Sequence, residues 1–265
     1  MQTLQPADNW HAGDPYERYI GRWSRLVAPS FVRWLDVPAG RRWLDVGCGT
    51  GALCDAIVDH AAPAAVTGVD PSEGFLAVAR ARLPASVTLR VGSATAIPLA
   101  DAAVDVVVSG LVLNFVPNPA AALREMARVA AGDAVVGLYV WDYAGKMELL
   151  RTFWDAAAAV DPAAAALDEG VRFPLCDPIA LAAVAEAAGL HGVEVTAIDV
   201  PSVFADFADL WEPFLGGQGP APSYLSSLDE PTRAAVRGTL RARLPRRDDG
   251  SIHLVARAWA LRARR

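Results

Sequence analysis

Residues 43–51 read Trp-Leu-Asp-Val-Gly-Cys-Gly-Thr-Gly. Trp43, Leu44 and Val46 are the apolar residues of a buried strand, which breaks into a glycine-rich turn. Gly47, Gly49 and Gly51 let the backbone turn sharply and approach a ligand without interference from a Cβ. Ala52, Leu53, Ala56 and Ile57 then open a helix, whose free N–H groups point into the turn. Asp70 lies nineteen residues after Gly51, behind the apolar run Ala65–Val69. An acid at that distance, ending a second strand, is placed to grip a ribose diol.

The glycines fit two patterns. Gly47, Gly49 and Ala52 satisfy the dinucleotide fingerprint G-x-G-x-x-G/A, which would make the chain a nicotinamide (NAD) oxidoreductase. Asp45, Gly47, Gly49 and Gly51 satisfy an acid followed by G-x-G-x-G. A carboxylate at the end of the first strand would repel a pyrophosphate and suits a ligand that carries an ammonium group. S-adenosylmethionine (SAM) has an adenosine, an ammonium and a sulfonium, and no phosphate.

Leu44–Leu53 resembles the first motif of class I SAM-dependent methyltransferases, in particular their small-molecule, quinone-biosynthesis-like group. Val69-Asp-Pro-Ser72 is similar to the second motif and Val91-Gly-Ser-Ala-Thr-Ala-Ile-Pro98 to the third. Val104–Pro119 is similar to the fourth strand and its loop. The resemblance covers residues 14 to 143 well and the remainder loosely. It implies that Asp45 and the backbone at Gly47, Cys48 and Gly49 face the methionine part of SAM, and that Asp70, followed by Pro71, takes both ribose hydroxyls. It places Phe75 on the adenine ring and Ser93 and Ala94 at the adenine edge. Ser93 departs from the pattern, since the family usually has an acid there. Asp70 also suits an N-cap, and Phe75 also suits the core.

The pattern implies an α/β fold: a doubly wound, Rossmann-like sheet of about seven strands with an antiparallel edge. Strands at 65–69, 87–91, 104–109 and 133–141 alternate with helices at 51–61, 72–82 and 119–131, the last started by Asn118-Pro119 and stopped by Gly132. Asp177-Pro178 caps a further helix, ended by Gly189. Residues 192–200 and 251–260 alternate as strands. The expected organisation is an N-terminal arm and cap helix at 1–36, a SAM-binding core at 37–143, and an insertion, lid and closing strands of the same domain at 144–265. Phe204, Phe207, Trp211 and Phe214 are spaced as one helical face, which suits a helix packed on the domain as well as a lid whose aromatic face lines an apolar substrate pocket. Arg22 and Ser24 are candidates for the SAM carboxylate.

Methyl transfer is an in-line displacement that needs alignment and exclusion of water more than a base. His11, Asp142 and Tyr143 are the catalytic candidates. Leu113, Asn114, Trp141, Phe207 and Trp211 are candidates to line the acceptor pocket.

The chain has 265 residues, is 53% hydrophobic and carries a net charge of −6. Its mean hydropathy is +0.25 and its pI about 5.2. The acidic balance argues against nucleic acid and against anionic membranes as partners, and for a small-molecule acceptor. Cys48, Cys54 and Cys176 have neither disulfide nor metal-ligand spacing, which points to a reducing, cytoplasmic setting. Residues 1–10 have neither the basic start nor the apolar core of a signal peptide. The alternative to methyl transfer is a SAM-binding protein or cyclase that transfers no methyl.

Overall fold

The computed structural model describes residues 22–216 and 219–265. His11 and most of the N-terminal arm lie outside these residues, as does the side chain of Arg22. The chain runs α1 (Arg22–Leu35), β1 (Arg42–Val46), α2 (Ala52–Ala61), β2 (Ala65–Asp70), α3 (Glu73–Arg82), β3 (Val87–Val91), β4 (Val104–Gly110), α4 (Pro119–Val129) and β5 (Ala130–Trp141). It continues with α5 (Glu148–Val160), α6 (Glu169–Arg172), α7 (Pro178–Ala187), β6 (His191–Phe204), α8 (Phe207–Trp211), α9 (Pro220–Ser227), α10 (Glu230–Arg243) and β7 (Ile252–Arg264).

The seven strands form one sheet in the order β3-β2-β1-β4-β5-β7-β6. β3, β2, β1, β4 and β5 are parallel neighbours, and β7 pairs antiparallel with β5. The chain winds outward from β1 through β2 to β3, then returns to the other side of β1 for β4 and β5. That reversal opens a crevice at the carboxyl ends of β1 and β4, where ligands of such sheets bind. The Rossmann-like sheet with an antiparallel edge expected from the sequence is present.

The residues divide into two compact units. The first holds 24–141, 175–198 and 258–265. Its core gathers Leu44, Val46, Val107, Leu123, Met126, Val136, Leu138 and Leu261. Asn118 starts α4 by accepting from the Ala121 N–H at 3.0 Å, with Pro119 at the first helical position. Replacing such a cap with alanine costs about 1 kcal/mol. α4 buries Ala122, Leu123, Met126 and Val129, the face that returns each turn. Burying a side chain such as Leu123 contributes roughly 2 kcal/mol. α4 ends at Val129, not at 131, and Gly132 is not its stop. β5 already begins at Ala130, opposite Val104, and pairing resumes only at Val106 with Val135. The intervening residues leave the ladder, with Asp133 at φ 60°.

The second unit comprises Trp23, 142–174 and 199–257. Its interior is aromatic. Phe153 stacks on Phe214 at 4.6 Å, and Trp154 and Tyr224 lie 5.6 Å apart. The four aromatics expected on one helix are divided among three elements. Phe204 ends β6, Phe207 and Trp211 bound α8, and Phe214 lies in a 3-10 turn, Glu212–Gly216. Asp206 sets the break by capping α8 at the Asp209 N–H, and Pro213 has no N–H with which to continue the helix. All four rings are buried.

Candidate functional site

The glycine turn fills the crevice end of β1. Gly47, Gly49 and Gly51 have φ of 75°, 52° and 90°, the left-handed region that favours glycine. A Cβ at Gly47 would lie 2.4 Å from the Val112 side chain, and one at Gly51 would lie 2.7 Å from Leu83. A Cβ at Gly49 would meet no atom within 4 Å. Packing therefore demands the outer two glycines, while the middle one faces open space. The N–H groups of Gly47 and Cys48 both donate to the Val69 carbonyl, at 2.7 and 3.0 Å.

Asp70 ties the turn to β2. Its Oδ2 accepts from the Gly49 N–H at 2.9 Å and its Oδ1 from the Ser72 N–H at 2.8 Å. Ser72 itself caps α3 by accepting from the Phe75 N–H, so Asp70 is not the cap. Burial pushes the Asp70 carboxyl above the ordinary range, against the pull of those two N–H groups. Pro71 is exposed and Phe75 half-buried.

Asp45 lies between Gly68 of β2 and Val108 of β4, 1% exposed. Its Oδ2 accepts from the Cys54 Sγ at 3.3 Å, and its Oδ1 has no hydrogen-bond partner among the described residues. Burial pushes its pKa up to about 7, with the nearby Asp70 charge acting in the same direction and the Cys54 thiol opposing. The carboxyl thus sits beneath the turn, at the start of α2. Cys48, Cys54 and Cys176 are buried and form no disulfide.

The ends of β4 and β5 border the same crevice. After Gly110 the chain turns through Leu111, at φ 63°, whose N–H donates to the Tyr139 carbonyl at 2.8 Å. A left-handed leucine is strained, and strain of this kind gathers at functional sites. The turn puts Val112 against Gly47 and buries Leu113. Asn114 donates through Nδ2 to the Cys176 Sγ at 3.5 Å, while its buried Oδ1 has no partner among the described residues. Trp141, 2% exposed, leaves its Nε1 equally without an acceptor among the described residues. Nothing in the sequence singled out Leu111 or Val112.

Ser93 is exposed and its Oγ lies 3.1 Å from the Thr95 Oγ1. The loop that carries Ser93 and Ala94 is held from below by Arg128, which sequence reading missed. Its guanidinium donates to Glu125, to Asp101 and to the carbonyls of Ile97 and Leu99. Those partners lie up to 31 residues away, so only the fold reveals the clamp.

Of the remaining candidates, Asp142, Tyr143, Phe207 and Trp211 lie in the second unit. Both Asp142 oxygens accept from its own loop, from the N–H groups of Gly145 and Lys146. Tyr143 is buried 5.8 Å from Phe173. Phe207 and Trp211 stack at 6.1 Å. Ser24, in the first unit, is buried in α1.

A family described as a methyltransferase domain matches residues 44–136. That segment holds β1 to β5 and every turn described at the crevice. The match covers about a third of the chain, and the fold around it is similar to that of solved methyltransferase structures. The ubiquinone/menaquinone biosynthesis C-methyltransferase of Rubrivivax gelatinosus is 41% identical over 105 residues, 40% of this chain and 41% of that protein. The chain spans about two fifths of the length of the curated relatives it matches. Among solved structures, a Haemonchus contortus phosphoethanolamine N-methyltransferase in complex with phosphomonomethylethanolamine and S-adenosylhomocysteine is similar at TM-score 0.58 and 15% identity, covering 95% of this chain and 56% of that one. The [4+2]-cyclase SpnF is similar at TM-score 0.52 and 20% identity, covering 92% and 80%.

Proposed function

We propose that the chain binds SAM in this crevice and transfers its methyl group to a small, fairly apolar acceptor. The observation that carries the reading is the pairing of a buried carboxyl oxygen without a partner, Asp45 Oδ1, with a glycine turn open at Gly49. A cationic ligand without phosphate fits that pair. A pyrophosphate would lie against a carboxylate and lose energy there.

When bound, SAM supplies a methyl carbon already activated by its sulfonium. The rest falls to the chain. Asp70 holds the ribose hydroxyls with the oxygen lone pairs left after its two backbone bonds. The N–H groups at the start of α2 and the Asp45 carboxyl orient the amino-acid end. Phe75, Ser93 and Ala94 receive the adenine, on a loop fixed by Arg128. Asn114 Oδ1 and Trp141 Nε1 are an acceptor and a donor with no partner among the described residues, and they orient the methyl acceptor. Alignment and exclusion of water carry the rate, so no base is required of Asp142, whose oxygens are engaged. The three buried thiols suit a reducing, cytoplasmic setting, and no described helix is long and apolar enough to cross a membrane.

The fold likeness to a cyclase keeps one second reading in view: SAM bound and no methyl moved. Methyl-labelled SAM incubated with a panel of phenolic, quinol and amine acceptors separates the two. Label in a product supports transfer. Label that stays with bound SAM across the whole panel supports the second reading.

A further inference from the structure

Methyl transfer calls on neither of the two thiols that flank the glycine turn. Cys48 lies in the turn itself and Cys54 in the first turn of α2. The Gly51 N–H donates to the Cys48 carbonyl at 2.9 Å, and the Asp55 N–H donates to the Gly51 carbonyl at 2.9 Å. These two bends fold the chain back on itself, and both side chains come down on one patch of the sheet.

The register of the strands locates that patch. Asp45 of β1 is paired with Gly68 of β2. Paired positions on neighbouring strands lie about 4.8 Å apart and face the same side of the sheet. The Cys54 Sγ donates to the Asp45 Oδ2 at 3.3 Å. The Cys48 Sγ occupies the space above Gly68, where a Cβ would lie 2.8 Å from that sulfur and 2.7 Å from Leu89. Gly68 is not one of the left-handed glycines, so its missing side chain serves to make room. The two sulfurs thus sit side by side over adjacent strands. The Cys48 side chain acts directly on the Cys54 thiol, and together with burial and the Asp45 charge it pushes that thiol up. Cys54 is 0% exposed, whereas Cys48 keeps 6% of its surface.

We propose that Cys48 and Cys54 are a peroxide-sensitive pair whose disulfide shuts the crevice to SAM. One hydroperoxide is consumed. Cys48, the thiol with surface left, loses its proton and attacks a peroxide oxygen; the O–O bond breaks, and hydroxide leaves as water with that proton. Cys54 then passes its proton to the Asp45 Oδ2 and attacks the sulfur of the Cys48 sulfenic acid. The S–S bond forms, the S–O bond breaks, and the second hydroxide leaves as water with the proton from Asp45. Each sulfur gives one electron, and the peroxide takes both. A small dithiol reverses the change by exchange. Pairs of this kind are the disulfides that a reducing compartment tolerates.

The disulfide disturbs the site at two points. It holds its sulfurs about 2 Å apart, closer than two thiols in contact, and so draws the turn toward α2. It also removes the S–H that the Asp45 Oδ2 accepts, which leaves both oxygens of a buried carboxyl without a partner among the described residues. The loss of SAM binding rests on the reading of the crevice given above; formation of the disulfide does not.

The test is titration of the reduced full chain with hydrogen peroxide, followed by intact mass, peptide mapping and calorimetry with SAM. The expected product lacks two hydrogens, joins Cys48 to Cys54 and binds SAM at least about tenfold more weakly, and dithiothreitol restores the parent. C54S, which keeps a hydroxyl donor for Asp45, should stop at a Cys48 sulfenic acid that dimedone traps. C48S should stay unoxidised at Cys54 at the same dose. A disulfide through Cys176, or sulfenic acids with no S–S bond in the parent, overturns the proposal. A Cys48–Cys54 disulfide that leaves SAM affinity unchanged overturns the switch. A reduced parent that binds no SAM overturns the functional reading and the switch with it, while the mapped S–S bond still decides the pair.

Discussion

The Asp70 Oδ2 accepts the Gly49 N–H at 2.9 Å, so the acid that ends β2 also fixes the tip of the turn that follows β1. One carboxylate thereby serves as a structural brace and as the expected ribose acceptor. The two roles separate at the glycines beside it.

Gly47→Ala and Gly49→Ala should differ in kind. Both force a left-handed φ on alanine, which costs about 1 kcal/mol. Gly47→Ala adds an overlap with Val112 and should lose roughly 2–4 kcal/mol of stability. Gly49→Ala meets no neighbour, so it should melt within a few degrees of the parent and still bind SAM far more weakly, because the methyl occupies the ligand's side. Thermal melts with and without SAM check this. Equal loss of stability in both variants would place Gly49 in the packing instead.

Burial pushes the Asp45 carboxyl up to about 7, so the proposed contact with the cofactor should make its affinity depend on pH. As pH falls through 7 the carboxyl takes up a proton and loses its attraction for an ammonium group. Between pH 8 and pH 6 SAM affinity should fall about tenfold, the change for one linked proton. Asp45→Asn should bind more weakly at pH 8 and show a flat profile. Calorimetric titrations at the two pH values decide it, and a flat profile in the parent would count against the contact.

Much of this was legible in the chain because it is local. Capping at Asn118-Pro119 and Asp177-Pro178, the left-handed glycines and the apolar runs of parallel strands are set by a few adjacent residues. The seven-stranded sheet followed from their order. What could not be read depends on partners distant in the chain. Ala130 joins β5 because Val104 lies opposite, although Gly132 reads as a helix stop. Phe204 stays extended because β6 continues to it, although its spacing to Phe207 and Trp211 is helical. Arg128 is an ordinary helix arginine until the fold brings Leu99 and Asp101 beneath it. Within the candidate site, Asp45 could be read as an acid beside the turn, while its burial against Cys54 could not.

In the second unit, burial pushes Glu169 up to about 7 even though its carboxyl accepts from the Trp154 indole N–H. An acid raised above its unfolded value of 4.5 stabilises the fold below that value, and the contribution is lost as pH rises through 7. Urea unfolding followed by tryptophan fluorescence should therefore give a lower stability at pH 8 than at pH 5. Glu169→Gln should recover up to about 3 kcal/mol of that difference. An identical pH dependence in parent and variant would mean that Glu169 is already ionised in the folded chain.

Asp70 and the glycine turn are expected to hold a phosphate-free adenosine cation. Isothermal titration of the parent chain and of Asp70→Ala with SAM, its demethylated product and NAD tests it most directly. Micromolar binding of the first two by the parent, no binding of NAD, and a loss of about a hundredfold in the variant are the expected results, since two charge-assisted hydrogen bonds vanish. Tight NAD binding without SAM binding, or SAM binding unchanged by the loss of Asp70, would contradict it.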